Sequence, residues 1–462
     1  MAGRAKDAPS EAAKIAAGLQ FLNRTILKSS PFKAASIGRR WVRSGGWRGA
    51  IARYWRARGS LKGSISKQSR RGLDWMNFFV ADLQTAFGAF VAFYLADLGW
   101  TKSQVGLALT AGTLAGVMSQ IPGGALVDAL QWKRALAAFG IVMVGASALI
   151  LALVPSFALV FVAEILHGSS SAILTPAIAA ISLGLVGRRA MSVRTGRNYR
   201  FEAAGDAITA GLMGAAGQYI ARSAIFLGSA ALCIPALIAL SRIRADEIDY
   251  ARARNAGTGE KARSYHRLLD LGKNRNLYVF AACVFLFQFA DASMLPIVGQ
   301  NVAQGKAASA PLLMAGLIIV PQIVVALLSP WVGYHSERWG RKPLLLLGFA
   351  LEIARALLFL FSSTTMLLTA QLLGGISAAA VTVLTVLVIT DLTTGTGRFN
   401  LVRGFIGTVI AIAASISTTA TGFIFQGVGQ WTGFLTMAGA AAAATVLLWA
   451  AMPETKPGKY LD

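Results

Sequence analysis

Gly124-Ala125-Leu126-Val127-Asp128-Ala129-Leu130-Gln131-Trp132-Lys133-Arg134 reads as a small residue, an acid four positions on, a short turn and a basic pair. The pattern returns as Gly333-Tyr334-His335-Ser336-Glu337-Arg338-Trp339-Gly340-Arg341-Lys342, 209 residues later (124 to 333, 128 to 337). Each copy sits between two long apolar runs. A motif repeated at a half-chain interval implies a chain made of two similar halves.

Working outward, the apolar runs decide the class. The 462-residue chain is 55% hydrophobic and only 14% charged, with a mean hydropathy of +0.59. Its apolar residues fall into stretches of about 20, long enough to cross a ~30 Å hydrocarbon core. The short alternating segments of a membrane β-barrel are absent. Twelve spans are predicted, near 75–97, 104–129, 134–154, 157–186, 201–221, 223–241, 277–300, 311–334, 342–361, 366–391, 401–425 and 432–451. The fold class is therefore an all-α polytopic membrane protein with twelve transmembrane helices in two six-helix bundles.

The net charge of +24 does not call for nucleic acid. The basic residues gather in loops and at one terminus, as the positive-inside rule requires. Residues 1–71 form a basic arm whose only acids are Asp7 and Glu11. It reads as a disordered or membrane-surface segment, and its Arg- and Ser-rich composition is also that of a targeting peptide. Domains follow as 72–241 for the first bundle, 242–276 for a solvated central linker, 277–452 for the second bundle and 453–462 for a tail. Loop charge places both termini and the linker in the cytoplasm of a cell with an inner (plasma) membrane. Cys233 and Cys283 lie in apolar runs and read as buried thiols. No phosphate-binding Gly-rich loop, metal cluster or Ser/His/Asp constellation is found, so neither an enzyme nor an ATP-driven pump is expected, and no cofactor. A second repeat, Thr195-Gly196-Arg197 and Thr396-Gly397-Arg398, reads as the approach to helices 5 and 11.

These motifs resemble the major facilitator superfamily, whose signature Gly-x-x-x-Asp-x-x-Gly-Arg-Lys/Arg joins helices 2 and 3 and is echoed between helices 8 and 9. Gly333, Glu337, Gly340, Arg341 and Lys342 match it well. Gly124, Asp128, Lys133 and Arg134 match it less well, because Gln131 and Trp132 replace Gly and Arg. The resemblance covers about 75–455. It implies two pseudo-symmetric bundles with a solute cavity near the bilayer midplane and alternating access by rocking. It also implies a cytoplasmic gate latched by the signature charges: Asp128 with Arg134, and Glu337 with Arg338 or Arg341. Asp206 facing Arg194 or Arg197 is expected to join that gate. Two patterns of antiporters in the family are missing: helix 4 has Glu164-Ile165-Leu166-His167-Gly168 without the usual Arg, and helix 5 has Gly211, Gly214 and Gly217 without the following Pro.

Charged side chains inside a bilayer cost at least ~2.5–3.5 kcal/mol each and mark function by default. In such a fold helices 1, 4, 7 and 10 line the cavity. They carry Asp82 and Gln84, Glu164 and His167, Gln288 and Asp291, and Gln371. Asp82 and Asp291 are again 209 apart, and each precedes its signature acid by 46 residues. They are expected to face each other, binding solute or passing protons, since a carboxyl group in low dielectric can carry a proton near neutral pH. Glu164 and His167 are i, i+3 and are expected to pair. Glu352 and Arg355 read as a mutually neutralising pair on a peripheral helix 9. The functional expectation is a monomeric, proton-linked secondary transporter of a small organic solute, with export favoured and membrane lipid as its surroundings. A lipid translocator on the same fold, or a non-transporting membrane sensor or scaffold, is the alternative.

Overall fold

In the computed structural model, residues 65–85, 91, 94–95, 98–221, 223–256, 274–298, 310–361 and 363–456 are described. The arm to residue 64 lies outside them, as do 257–273 of the linker with His266. Among the described residues twelve long helices follow one another. They are α1 (Lys67–Thr85), α2 (Lys102–Ala129) and α3 (Lys133–Leu153). Next, Phe157–Tyr219 is one helical run except at Gly187, whose φ of 69° and ψ of 175° break it. Residues 157–186 are α4 and 188–219 are α5. Then come α6 (Ala224–Ser241), α7 (Arg275–Asp291), α8 (Ala310–Trp339), α9 (Lys342–Leu358), α10 (Thr364–Leu392), α11 (Phe399–Gly427) and α12 (Gln430–Ala451). Among the described residues nine helical stretches are long and apolar enough to cross a membrane, one of them covering both α4 and α5.

Local sequence explains the ends. Thr101 caps α2: its side chain accepts from Gln104 N at 3.3 Å, and Gln104 Oε1 accepts from Thr101 N at 3.0 Å, a reciprocal capping box. Gly340 takes φ +98 to turn α8 into α9, and Glu454 of the tail accepts from the N–H groups of Arg341 and Lys342 at the start of α9. The first signature copy has Gln131 where the second has Gly340. There the chain leaves α2 in extended conformation at Leu130 (φ −88, ψ 141), which a residue with a Cβ adopts without strain. The backbone of Gly187 lies in a region essentially reserved for glycine. Gly187→Ala is expected to cost about 1–3 kcal/mol, read as a lowered Tm of the purified protein. An unchanged Tm would mean that the α4–α5 break relaxes freely.

Helix 5 is longer than its hydropathy predicts. The sequence places its start at 201 and treats Arg194, Arg197 and Arg200 as loop charges, whereas α5 begins directly after Gly187. Ion pairing explains the difference. Asp74 of α1 accepts from Arg194 Nη2 at 2.6 Å and from Arg197 Nε and Nη2 at 2.9 and 2.6 Å, so these arginines enter a helix that apolarity alone would have ended. Asn198 Nδ2 donates to Ser182 Oγ at 2.9 Å and ties α5 back to α4.

The linker is not simply solvated. Ile243 and Ile248 are buried, and Asp249 N donates to Gly184 O of α4 at 3.1 Å. Asp249 then caps the short helix Tyr250–Ala253. Asn255, at φ 60, sends Nδ2 to Thr390 O and Thr393 Oγ1 of α10 at 2.6 and 3.1 Å. This first part of the linker therefore binds helices of both halves. A nearby apolar cluster does the same, joining Leu183 and Met191 to Phe280, Val386 and Phe399.

Candidate functional site

The side of the protein that carries the two signature copies is closed by backbone packing between the halves. A Cβ built on Gly124 of α2 would lie 2.1 Å from Asn400 O of α11, and one on Gly404 would lie 2.1 Å from Gln120 O. On the opposite flank a Cβ on Gly333 of α8 would lie 2.4 Å from Ser192 O of α5, and one on Gly196 would lie 2.4 Å from Ser329 O. Glycine is needed at all four because no side chain fits between the touching backbones. These contacts also correct the second repeat. Gly196 corresponds to Gly404 and Ser192 to Asn400, an offset of 208, whereas Gly397 lies before α11 with φ +68. The Thr-Gly-Arg copies are thus out of register by seven residues and are not structural equivalents.

Polar contacts reinforce the closure unequally. Asp128 reaches across to the start of α11, where its carboxylate accepts from Asn400 Nδ2 at 2.8 Å, Asn400 N at 3.3 Å and Leu401 N at 2.8 Å. It acts as a capping side chain supplied by the other half, with its charge at the positive end of the helix. The expected Asp128–Arg134 pair is not the arrangement found: Arg134 Nη2 donates to Ser241 O at 3.3 Å, while Lys133 is buried and donates to Val127 O. Glu337 remains in its own half. It pairs with Arg341 at 2.9 Å, and Arg341 Nε reaches Asp391 Oδ2 of α10 at 3.1 Å. Arg338 goes to Tyr334 Oη instead, and Lys342 Nζ donates to Trp449 O. His335 lies on α8 and stacks on Trp331. Arg194 and Arg197 do not meet Asp206, because Asp206 lies nine positions beyond Arg197 on the same helix, about 14 Å along the axis. Asp74 takes both instead.

Beyond this closure lies a cavity of about 390 Å³ between the halves. Its walls are mostly apolar, with Gln120, Tyr199, Gln288, Asp291, Glu352, Arg403 and three threonines, Thr175, Thr382 and Thr385, as the polar exceptions. Asp291 is the last residue of α7. The helix breaks at Ala292–Ser293, and Pro296 has no N–H with which to bond the Ala292 carbonyl. The break is held by Ser293 Oγ, 2.7 Å from Ser417 Oγ of α11. Asp291, about a third exposed at 35%, accepts from Arg355 Nη1. The same nitrogen donates to the buried Glu352 Oε1 at 2.7 Å, and Nη2 donates to Gln371 Oε1 at 3.2 Å. Two carboxylates thus share one guanidinium, and Arg403 is a further basic residue of the cavity lining. The reading of Glu352 and Arg355 as a self-contained peripheral pair is corrected: Gly374 of α10 lies against the Arg355 side chain, and that small residue lets the guanidinium reach α7.

The structure brings Gln288, Asp291 and Gln371 together and places Glu164 and His167 elsewhere. Glu164 is buried against Gly112 of α2, and neither it nor the partly buried His167 lines the cavities described here. Its face of α4 packs on α2. Asp82 and Gln84 lie on α1, but their side chains are outside the described residues. A smaller cavity of about 90 Å³ shares Thr175, Tyr199, Val386 and Arg403 with the large one and adds Asn77, Asn198 and Glu202. There Tyr199, Glu202 and Arg403 line one cavity together. Sequence reading missed this second cluster. Its signal was a Tyr, an acid and an Arg within or beside predicted helices 5 and 11, whose side chains only the packing of the two helices brings to one cavity.

A model of the Major Facilitator Superfamily matches residues 75–335 and 309–461. Two proteins of Mycobacterium tuberculosis, described as uncharacterized MFS-type transporters and coming from strains CDC 1551 / Oshkosh and ATCC 25618 / H37Rv, are each 36% identical over 396 residues, covering 85% of this chain and 95% of the relative. The crystal structure of a point mutant of the nucleoside transporter NupG superposes with a TM-score of 0.60 at 14% identity, covering 82% of this chain and 99% of that one. At that identity it speaks for the fold alone.

Proposed function

Because this chain belongs to the Major Facilitator Superfamily, we propose that, as an MFS transporter, it is a secondary carrier moving a small organic solute by alternating access, driven by protons in the direction of export. One observation carries this reading: the cavity of about 390 Å³ between the halves, with Asp291 partly exposed in its wall and held by Arg355. Its volume is that of a site for a small organic molecule. Its mostly apolar walls favour an amphipathic solute. Protonation of Asp291 would release its share of Arg355, which supports a link between proton and solute occupancy. The charge bias of the loops favours an inner-membrane orientation with both termini cytoplasmic.

A thermal-stabilisation screen of the purified protein across solute classes, at two pH values, identifies a solute to follow. In proteoliposomes that solute should accumulate only under an imposed pH gradient. Asp291→Asn is expected to lose gradient-driven accumulation by at least about tenfold while retaining solute exchange without a gradient. Full driven accumulation in Asp291→Asn would remove this residue from coupling, and accumulation indifferent to pH would remove the proton.

A further inference from the structure

We propose that the groove between α1 and α6, on the signature side of the first half, is a binding site for an anionic phospholipid. The groove has a volume of about 550 Å³. Lys67 and Arg71, one turn apart on α1, and Arg242, the residue that ends α6, stand at its mouth. All three are exposed, and none makes an ion pair among the described residues. The nearby acid Glu247 is already engaged, accepting from Ser66 N and Oγ and pairing with Arg244. Deeper along the same groove the lining turns apolar, with Trp75, Phe79, Pro235 and Ile238. Trp75 stacks on Phe79 with centroids 5.8 Å apart. Gly72 forms the narrow floor, where a Cβ would come within 2.8 Å of Ala239 O.

This order of chemistry follows depth. From Lys67 to Phe79 the helix descends about 18 Å, from the headgroup level into the acyl layer. Trp75 and Ile238 are 49% and 54% exposed on the protein's outer surface, away from the solute cavity. A cationic mouth over an aromatic and aliphatic trough matches an amphiphile with a phosphate head and acyl tails, and basic pockets between membrane helices bind such headgroups. The basic arm of this same chain does not fit. Its only acids, Asp7 and Glu11, leave it the same sign as the groove. A water-soluble anion would satisfy the mouth and leave the trough unused. The site is independent of what the central cavity carries, and its test needs no transport assay.

The test is native mass spectrometry of the full-length, delipidated protein in detergent, titrated with dioleoyl-phosphatidylglycerol or dioleoyl-phosphatidylcholine. The wild type is expected to retain the first bound phosphatidylglycerol at least about tenfold more strongly than phosphatidylcholine. The charge variant Lys67→Gln/Arg71→Gln/Arg242→Gln should bring the two lipids within about twofold. Ile238→Trp, which fills the trough and keeps every charge, should also weaken phosphatidylglycerol retention. Equal retention of the two lipids by the wild type, or an unchanged preference in the charge variant, overturns the proposal. So does displacement of phosphatidylglycerol by millimolar inorganic phosphate together with indifference to Ile238→Trp, since that would mark a simple anion site. Melting curves of each variant, matched to the wild type, exclude misfolding as the cause of a loss.

Discussion

Gly124→Val should reduce transport by at least about thirtyfold while the protein still inserts and purifies. A Cβ at this position would lie 2.1 Å from the carbonyl oxygen of Asn400, where ordinary contact needs well over 3 Å. The clash is with backbone, so no rotamer change relieves it, and the two added methyl groups enlarge it. Only separation of α2 from α11 does, and that costs of the order of 1–3 kcal/mol for an overpacked contact, with the Asp128 cap on α11 lost in addition, worth about 1 kcal/mol. Both penalties fall on the state closed at the signature side and spare a state in which α2 and α11 have parted. A carrier that cannot populate one of its two states cannot turn over. The check is alkylation of a cysteine introduced at Ala411, in the wall of the cavity. It should become reactive from the signature side in Gly124→Val and stay protected from that side in the parent. Gly168→Val is the contrast, because a Cβ there meets Gly112 O at 2.1 Å within one half. It should lower stability without exposing residue 411 to the signature side. Wild-type transport by Gly124→Val with unchanged labelling would mean that this contact is not the latch.

The second large effect is on folding. Arg355→Met should destabilise the protein by about 3–5 kcal/mol, visible as a large loss of folded yield and a lowered Tm. The Arg355 side chain is 8% exposed and the Glu352 side chain 1%, so deletion of the guanidinium leaves Glu352 buried beside Asp291 with neither neutralised. The double variant Glu352→Gln/Arg355→Met should recover most of the loss, since a single, partly exposed carboxylate then remains. Glu352→Gln alone should cost less than Arg355→Met, because Arg355 keeps Asp291 and Gln371. If Arg355→Met were as stable as the wild type, the triad would have no structural weight, and the placement of Asp291 in the cavity wall would need another cause.

The same triad shows how far pattern reading carries. Asp291 was visible because it is an acid within an apolar run and repeats Asp82 at the interval of the signature. Arg355 and Glu352 were equally visible, yet their i, i+3 spacing offered a complete local explanation. Nothing along the chain indicates that Gly374 opens a path from α9 to α7. Asp128 is a parallel case. Its importance was legible from the repeat, but its partners were not, since they sit 272 and 273 residues away on α11. The arginines of α5 were misplaced for a third reason: hydropathy ends a helix where charge begins, and only the position of Asp74 beside them shows that the charge is neutralised.

By itself, then, the sequence determined what depends on local composition and period. Apolar run length set the transmembrane helices, and the 209-residue interval set the two halves. The tertiary structure alone decided which groups meet: Asp128 with the start of α11, Asp74 with Arg194 and Arg197, and Asp291 with Arg355. The physical reason is that burial in lipid is an additive property of a stretch of chain, whereas a buried charge is tolerated only beside a particular partner. In a helical bundle that partner is chosen by packing between helices and not by distance along the sequence.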